Sequence, residues 1–304
     1  TTLFRSKGIE IALSTRPIQT RDFSWDINLN FSKNSNKVKE LDGESDMFEL
    51  EKASWLDVQV AAKVGENFGS IVGPDFQRNE KGDILIDPQT GLPQYDKSNH
   101  VLGNASWDWT GGLLTNFTYK NLSLVAVFDV KVGADLYSMS ARAAYESGKS
   151  PETLAGRDAW YRSEEERLAA GIAKGADNWK PTGGFVAPGV IDNGDGTYRP
   201  NDIYINPEDY WMSVCRNAPS MFIYDNSYVK CRELTLSYNV PKSWLKNVVS
   251  GLTVSFVARN PFIVWKNIPN IDPDSNYNNT TGMGLEYGSL PSRRSYGFNV
   301  NVKF

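Results

Sequence analysis

Histidine and cysteine are almost absent from this sequence, and their scarcity excludes several kinds of chemistry. His100 is the single histidine, and Cys215 and Cys231 are the two cysteines among 304 residues. One histidine and two cysteines are too few ligands for a typical zinc site. A Ser-His-Asp triad would have to use His100, and the sequence has no nucleophile-elbow motif. We therefore expect a protein that is not an enzyme, with no catalytic residues.

Long apolar runs and basic clusters are also missing. A membrane-spanning helix needs roughly 18 or more apolar residues, and the longest candidate, 122–132, is interrupted by Asp129 and Lys131. This excludes a helical membrane protein. The net charge is -4 and no basic stripe or tail is present, so a nucleic-acid partner is not expected. The first residues lack the pattern of a signal peptide, and we expect a chain that begins partway through its protein.

The feature that is abundant is strict alternation of apolar and polar residues, clearest in the last eleven positions. Tyr296, Phe298, Val300, Val302 and Phe304 alternate there with small or polar residues. Successive side chains of a strand point to opposite faces, so one face is apolar and the other polar. A transmembrane barrel needs this pattern because one face meets lipid and the other a wet lumen. The segment predicts the closing strand of an outer-membrane β-barrel.

Similar alternation predicts about nine strands in all. They are 8–15, 23–32, 57–64, 68–77, 113–119, 122–132, 228–240, 252–258 and the final segment. Short and long connections alternate along the chain, as in outer-membrane barrels with short periplasmic turns and long outer loops. The short ones are 16–22, 120–121 and 241–251, and the long ones are 34–57, 133–227 and 261–293.

The longest connection, 133–227, has helix signals of its own. Ser150 precedes Pro151, which is typical of a helix start, and Ser163 with Glu166 has the spacing of a capping box. A connection of this length is expected to be functional or disordered. We interpret 133–227 as a folded extracellular lobe with short helices. The predicted fold class is all-β, an antiparallel transmembrane β-barrel with long extracellular loops that carry short helices.

Several segments, taken in order, resemble the C-terminal part of the SusC/RagA family of TonB-dependent outer-membrane transporters. Each segment is weakly specific alone, and the ordered set spans nearly the whole chain. The segments are 7–13, 23–31, 117–124, 228–238, 258–262 and 295–304.

The resemblance implies the last strands of a plugged barrel of the 22-stranded class. The N-terminal plug and the earlier strands are then absent from this chain, and residues 1–304 form the C-terminal portion of the barrel. It also implies a SusD-like lipoprotein lid, energy from TonB through the missing N-terminal part, and import of a glycan or peptide across the outer membrane of a Gram-negative bacterium. Phe304 is similar to the terminal residue by which the barrel assembly machinery recognises its clients, and the barrel would contact outer-membrane lipid.

Aromatic residues in the long connections are candidates for substrate contact, because an aromatic face stacks on a sugar ring. Polar residues predicted to face the lumen are candidates for lining the transport path. Packing within the lobe, contact with the lid and hydrogen bonding to the plug are the alternatives for the same residues. The candidate set is Trp107, Trp109, Trp179, Tyr210, Trp211, Glu233 and Arg259.

No cofactor is expected apart from a possible structural calcium ion in an outer loop. The acidic residues Asp192 and Asp195, with Asp202, offer oxygen ligands but do not fit the EF-hand spacing, and a turn is the simpler interpretation. Two alternatives to the transporter stay open at the level of sequence. One is a passive outer-membrane porin or adhesin, and the other is a secreted β-rich sugar-binding module.

Overall fold

The computed structural model describes residues 3–43, 45–52, 57–245, 249–278 and 280–304. Among these residues no helix is both long and apolar enough to cross a membrane. Three α-helices are described, namely α1 (Met139–Glu146), α2 (Arg157–Ala169) and α3 (Pro207–Asn217), with short 3-10 helices at Pro151–Leu154, Pro219–Phe222 and Lys242–Trp244. The strands are β1 (Leu3–Gln19), β2 (Phe23–Glu40), β3 (Met47–Lys52), β4 (Gln59–Lys63), β5 (Ser70–Phe76), β6 (Tyr95–Asn104), β7 (Trp109–Tyr119), β8 (Leu122–Val132), β9 (Asp135–Ser138), β10 (Phe185–Val186), β11 (Val190–Asp192), β12 (Tyr198–Pro200), β13 (Tyr204–Ile205), β14 (Ile223–Asp225), β15 (Tyr228–Asn239), β16 (Gly251–Lys266), β17 (Leu285–Glu286) and β18 (Ser295–Lys303).

Seven of the described strands form one antiparallel sheet, which we call the main sheet. Its order is β1-β2-β7-β8-β15-β16-β18. Consecutive main-sheet strands are joined by short turns at 20–22, 120–121 and 240–250, of which 246–248 lie outside the described residues. The other connections, 41–108, 133–227 and 267–294, are long. Because the strands are antiparallel, all three long connections leave from the same end of the sheet.

The register of the main sheet gathers apolar side chains on one face. Leu29 of β2 lies opposite Leu13 of β1 and Leu113 of β7, and Leu113 lies opposite Phe128 of β8. Since side chains alternate along each strand, the aligned apolar positions form a continuous band. The opposite face is richer in Asn, Ser, Thr and charged residues, although Leu114, Val125 and Val127 also lie on it. The predicted two-sidedness is therefore present in the sheet, with apolar exceptions on the polar face.

The apolar face of the main sheet is uncovered. Ile11, Phe298 and Val300 are 56 %, 80 % and 60 % exposed. The larger buried cluster includes no residue of the seven main-sheet strands. A soluble sheet would have to bury a face of this kind, whereas a barrel wall presents it to lipid.

The long connections pack together into what we call the loop body, made of residues 41–108, 133–227 and 267–294. Its core draws Val60 and Ile71 from the first connection, Tyr137 and Val214 from the second, and Leu285 from the third. The segment predicted as a folded lobe, 133–227, thus shares its core with the other two connections. The assignment of this body to the outside of the cell stays a prediction.

The all-β fold is confirmed, but two of the nine predicted strands do not belong to the main sheet. The predicted strands 57–64 and 68–77 correspond to β4 and β5, which pair in a separate four-stranded sheet with β3 and β6. Nearly all residues of β4 and β5 are buried, so neither strand has a free face for lipid. The predicted connection 34–57 is accordingly too short, because the observed connection between β2 and β7 covers residues 41–108. Residues 44 and 53–56 of this connection lie outside the described part.

The capping-box prediction at Ser163 is wrong. Helix α2 begins six residues earlier, at Arg157, so Ser163 lies inside it. Ser163 is buried, and its Oγ accepts a hydrogen bond from the backbone N–H of Thr182 at 3.0 Å. Its side chain therefore ties α2 to the following segment instead of capping a helix.

Both cysteines are unpaired and buried, so Cys215 and Cys231 do not form a disulfide with each other. Burial raises the pKa of the Cys215 thiol to about 12, because the surrounding core disfavours the thiolate. The folded state thus holds this proton more tightly than the unfolded state. The resulting stability is complete below the ordinary thiol pKa of about 8.5 and is lost as the pH rises towards 12.

We expect Cys215 to resist alkylation in the folded protein. At pH 8, iodoacetamide should modify it much more slowly in the native protein than after denaturation in urea, because the thiolate is the reactive species. Mass spectrometry of the peptide that contains Cys215 measures both rates. Equal rates in the two states would contradict the buried, protonated thiol.

Candidate functional site

A cavity of about 350 Å³ lies where the polar face of β2 meets the loop body, and we call it the tryptophan cavity. The first and third long connections contribute to its wall, together with the ends of β2 and β7 that adjoin the loop body. Its described lining residues are all uncharged. They are Ser32, Asn34, Asn36, Leu50, Val60, Phe68, Gly69, Ala105, Ser106, Trp107, Trp109, Thr110, Thr280, Thr281 and Met283.

The amide wall of the cavity follows from the length of β2. This strand continues to Glu40, well beyond the predicted end at residue 32, and it pairs with β1 without a register shift through Asn36. Ser32, Asn34 and Asn36 therefore share the polar face of the strand. The Oδ1 atom of Asn36 accepts a hydrogen bond from the backbone N–H of Phe68 at 2.7 Å, which joins β2 to the loop body.

The rings of the two tryptophans that line the cavity pack on opposite sides of the main sheet. The Trp107 ring meets the ring of Tyr228 edge to face at a centroid distance of 5.8 Å, and the Lys131 Nζ lies 5.5 Å from its centroid. Trp109 lies opposite Val132 and packs against Phe31 at 5.6 Å, on the apolar side of the sheet. Trp107 is thus held on the polar side, whereas the Trp109 ring packs on the apolar side.

The hydroxyl side of the cavity comes from the third long connection. The Oγ1 of Thr281 donates to Glu51 Oε2 at 3.0 Å, and the Nδ2 of Asn278 donates to the same oxygen at 3.2 Å. These bonds hold Thr281 beside β3. Aromatic rings, amides and hydroxyls without a charged group suit a neutral, polar ligand, which they contact by stacking and by hydrogen bonding.

The structure brings Trp107 and Trp109 together but places the other predicted substrate residues elsewhere. Tyr210 and Trp211 lie in α3 and pack in the core of the loop body, with exposed fractions of 4 % and 8 %. Their rings also contact each other, at a centroid distance of 4.9 Å. Trp211 also borders a second cavity of about 240 Å³ beside α2. Substrate contact stays a prediction for both residues. Trp179 follows α2, and it does not line the tryptophan cavity.

Glu233 and Arg259 form an ion pair on the polar face of the main sheet. The Arg259 Nε lies 3.4 Å from Glu233 Oε2, and the two residues are direct partners on β15 and β16. Their side chains are 36 % and 68 % exposed, so both stay accessible from that face. A role in lining a transport path stays a prediction for both residues.

His100 has neighbours that superficially suggest a catalytic triad. Its Nε2 lies 3.1 Å from Ser98 Oγ and 2.9 Å from Asp96 Oδ2. A triad needs the carboxylate on one ring nitrogen and the nucleophile on the other. Here both groups contact the same nitrogen on an exposed strand, so the arrangement does not have the geometry of a triad.

The predicted calcium ligands Asp192 and Asp202 make local contacts beside β11 and β12. Asp192 Oδ1 accepts from the Gly194 N–H at 2.7 Å, and Asp202 pairs with Arg199 at 2.6 Å. Across the described ranges, no group of three or more His, Cys, Asp or Glu side chains is arranged to hold a metal ion. Calcium binding stays a prediction. So does the assembly role of Phe304, which follows β18 and is 96 % exposed.

An antiparallel sheet with an uncovered apolar face, a polar opposite face and long connections at one end is the architecture of a transmembrane β-barrel wall. No family model matches the chain. The chain is 23 % identical to TonB-dependent receptor P3 of Formosa agariphila, covering 98 % of this chain and 28 % of that receptor. It is also 23 % identical to the TonB-dependent receptor SusC of Bacteroides thetaiotaomicron, covering 98 % of this chain and 26 % of SusC.

Solved structures of similar fold include the RagAB peptide importer in its closed-closed state. That comparison has a TM-score of 0.63 and 17 % identity, and covers 99 % of this chain and 30 % of the importer chain. A second RagAB peptide transporter structure gives a TM-score of 0.61 at 16 % identity. The resemblance to the SusC/RagA family of TonB-dependent outer-membrane transporters is confirmed. The chain spans between a quarter and a third of the length of these relatives.

Proposed function

We propose that the chain forms part of the wall and loop body of a TonB-dependent importer in the outer membrane of a Gram-negative bacterium. The observation that carries the proposal is the continuous, uncovered apolar face of the main sheet, together with the relationship to TonB-dependent receptors. A secreted sugar-binding module would leave this face without a partner in water. A passive porin or adhesin would not depend on TonB, so the TonB dependence of uptake separates it from the importer.

We further propose a SusD-like lipoprotein lid as partner, TonB as energy source through another part of the full protein, and the barrel assembly machinery for insertion. The named relatives SusC and RagAB support this assembly by analogy. The proposed ligand is a glycan or a peptide. Its neutral polar groups would bind in the tryptophan cavity and stack on Trp107. No catalytic step is proposed.

Replacement of Trp107 tests the ligand contact. In the full-length protein with its lid, Trp107→Ala should weaken binding of the imported glycan or peptide about fivefold or more, because an aromatic contact contributes roughly 1 kcal/mol beyond area burial. Isothermal titration on the detergent-solubilised complex measures this affinity.

Trp244 is a matched control, since it is 68 % exposed in the turn at the opposite end of the sheet. Trp244→Ala should leave affinity unchanged. Unchanged affinity in Trp107→Ala, or an equal loss in Trp244→Ala, would contradict a ligand site at the tryptophan cavity.

A further inference from the structure

A lysine is buried on the polar face of the main sheet. Lys230 of β15 is 1 % exposed. Its Nζ lies 3.1 Å from Asp272 Oδ1 and 2.6 Å from Asp274 Oδ2, and it also donates to Ser292 Oγ. All three partners belong to the third long connection. A buried ammonium group is costly unless it is paired, so the position of this connection and the charge of Lys230 depend on each other.

A second cation extends the network to the neighbouring strand. The irregularity in pairing between Cys231 and Glu233 directs Arg232 towards the same carboxylates. Its Nη2 lies 2.6 Å from Asp129 Oδ2 of β8 and 2.9 Å from Asp274 Oδ1. Lys230, Arg232, Asp129, Asp272 and Asp274 therefore form one ionic cluster, which we call the β15 cluster.

The carboxyl of Asp274 is ionised within this cluster. Burial alone would raise its pKa, but the hydrogen bonds from Arg232 and Lys230 outweigh burial and hold that pKa well below its usual range. Because the folded pKa is depressed, the interaction is complete above the ordinary carboxyl pKa of about 4 and is lost only as the pH falls below it. The Asp274 carboxylate thus stays charged throughout the neutral range.

The cluster connects directly to the tryptophan cavity through one tyrosine. The hydroxyl of Tyr228 donates to Asp274 Oδ1 at 2.8 Å, and Tyr228 is completely buried. Its ring in turn packs edge to face on Trp107. The position of Asp274 therefore fixes the Tyr228 ring, and the Tyr228 ring supports one side of Trp107.

Other anchors hold the remainder of the third connection. Glu286 is bound by Ser138 and Ser140, and Glu51 is bound by Asn278 and Thr281. The Nδ2 of Asn226 also donates to the Pro273 carbonyl oxygen at 3.0 Å. Loss of the β15 cluster would consequently free the Asp272 and Asp274 side chains while Pro273 and the segment around Glu286 stay attached. The expected consequence is local, at Tyr228 and Trp107, and not a general release of the loop body.

We propose that Lys230 and Arg232 are positioning residues for the ligand site, acting through Asp274 and Tyr228 on Trp107. This inference rests on the proposed function. Neither cation lines the tryptophan cavity. Removing one partner of a buried ion pair costs much free energy, because the other charge is left unpaired. Such a pair is therefore suited to hold neighbouring side chains in one position, even where apolar residues in place of the whole pair would give equal stability.

A double-mutant cycle in the full-length protein with its lid tests this inference. Lys230→Met should weaken binding of the imported ligand roughly threefold to thirtyfold, the range of couplings transmitted through packed side chains. In a Trp107→Ala background the same substitution should change affinity less than twofold, because the residue through which it acts is already gone. A general structural role would lower affinity equally in both backgrounds and would overturn the proposal.

Two further variants keep the test decisive. Tyr228→Phe removes the hydroxyl contact with Asp274 and keeps the ring, so it should give a smaller loss in the same direction if Lys230→Met does not fold. Arg16→Gln removes another ion pair of the main sheet, with Asp26, and should leave affinity unchanged. If Trp107→Ala has no effect, the proposed function fails. If Trp107→Ala weakens binding but neither Lys230→Met nor Tyr228→Phe does, the positioning role alone fails.

Discussion

Leu113→Arg is expected to prevent stable insertion of the full-length protein into the outer membrane. Leu113 lies in the middle of β7, and its partners on the apolar face are Leu29 and Phe128. An arginine that faces lipid near the bilayer midplane costs about 2–4 kcal/mol in a transmembrane barrel. The assembled fraction, measured by heat-modifiable migration of the membrane-extracted protein, should fall by at least tenfold.

The same substitution at the next residue, Leu114, is a control, because Leu114 lies on the polar face of the main sheet. Leu114 lies opposite Asn28 of β2 and Val127 of β8, so its side chain points to the polar side of the sheet. Leu114→Arg should therefore assemble nearly as well as the unchanged protein. If both variants assembled equally well, or if Leu114→Arg failed and Leu113→Arg did not, the assignment of the two faces would be wrong.

The main-sheet strands were predictable because a membrane wall imposes a strict rule on sequence. Each strand needs one apolar face for lipid and one polar face for the lumen, so alternation is read directly from residues such as Phe23, Trp25 and Ile27. β4 and β5 follow a different rule. Both are almost wholly buried in the loop body, where residues such as Ala61 and Ala62 contact protein whichever way they point. Local pattern alone does not separate such strands from wall strands.

The candidate site was only partly predictable, because an aromatic residue in a loop is equally suited to a core and to a ligand. Trp107 and Trp109 line the cavity, whereas Tyr210 and Trp211 do not. The spacing of Pro207, Tyr210, Trp211, Val214 and Ala218 follows one face of a helix, and this signal indicates core packing for α3.

Other parts of the site depend on contacts between residues distant in sequence. Asn34 and Asn36 could not be assigned to β2 from the pattern, because its apolar positions end at Phe31 and are followed by Lys33 and Ser35. Thr281 and the β15 cluster could not be found either, because they are brought into place by pairing across more than forty residues, as between Lys230 and Asp272. No local pattern encodes such a contact.

Glu286→Ala is expected to open the junction between the third connection and α1. Glu286 is 1 % exposed, and its Oε2 accepts hydrogen bonds from Ser138 Oγ at 2.9 Å and Ser140 N–H at 3.0 Å. Its Oε1 accepts from Ser140 Oγ at 2.7 Å and from Ser289 N–H at 3.0 Å. Ser138 is also the N-cap of α1, so the carboxylate orients the cap and lies at the favourable end of the helix.

Removal of the carboxylate leaves these donors without an acceptor, at about 1–3 kcal/mol for each donor that water does not reach. The free energy of local opening should fall by roughly 2–4 kcal/mol, because the Ser138 hydroxyl is fully buried and loses its acceptor. Hydrogen exchange of the amides in β9 and α1, followed by mass spectrometry, should accelerate by at least tenfold.

Two substitutions show whether the effect belongs to the carboxylate. Glu286→Gln retains one acceptor oxygen and should accelerate exchange less than Glu286→Ala. Glu49→Ala removes an exposed glutamate of β3 and should change nothing at α1. Because the β15 cluster anchors the same connection at residues 272–274, exchange around Tyr228 should stay slow in Glu286→Ala. Fast exchange at Tyr228 would mean that the connection is released as a unit, and the two anchors would then not act independently.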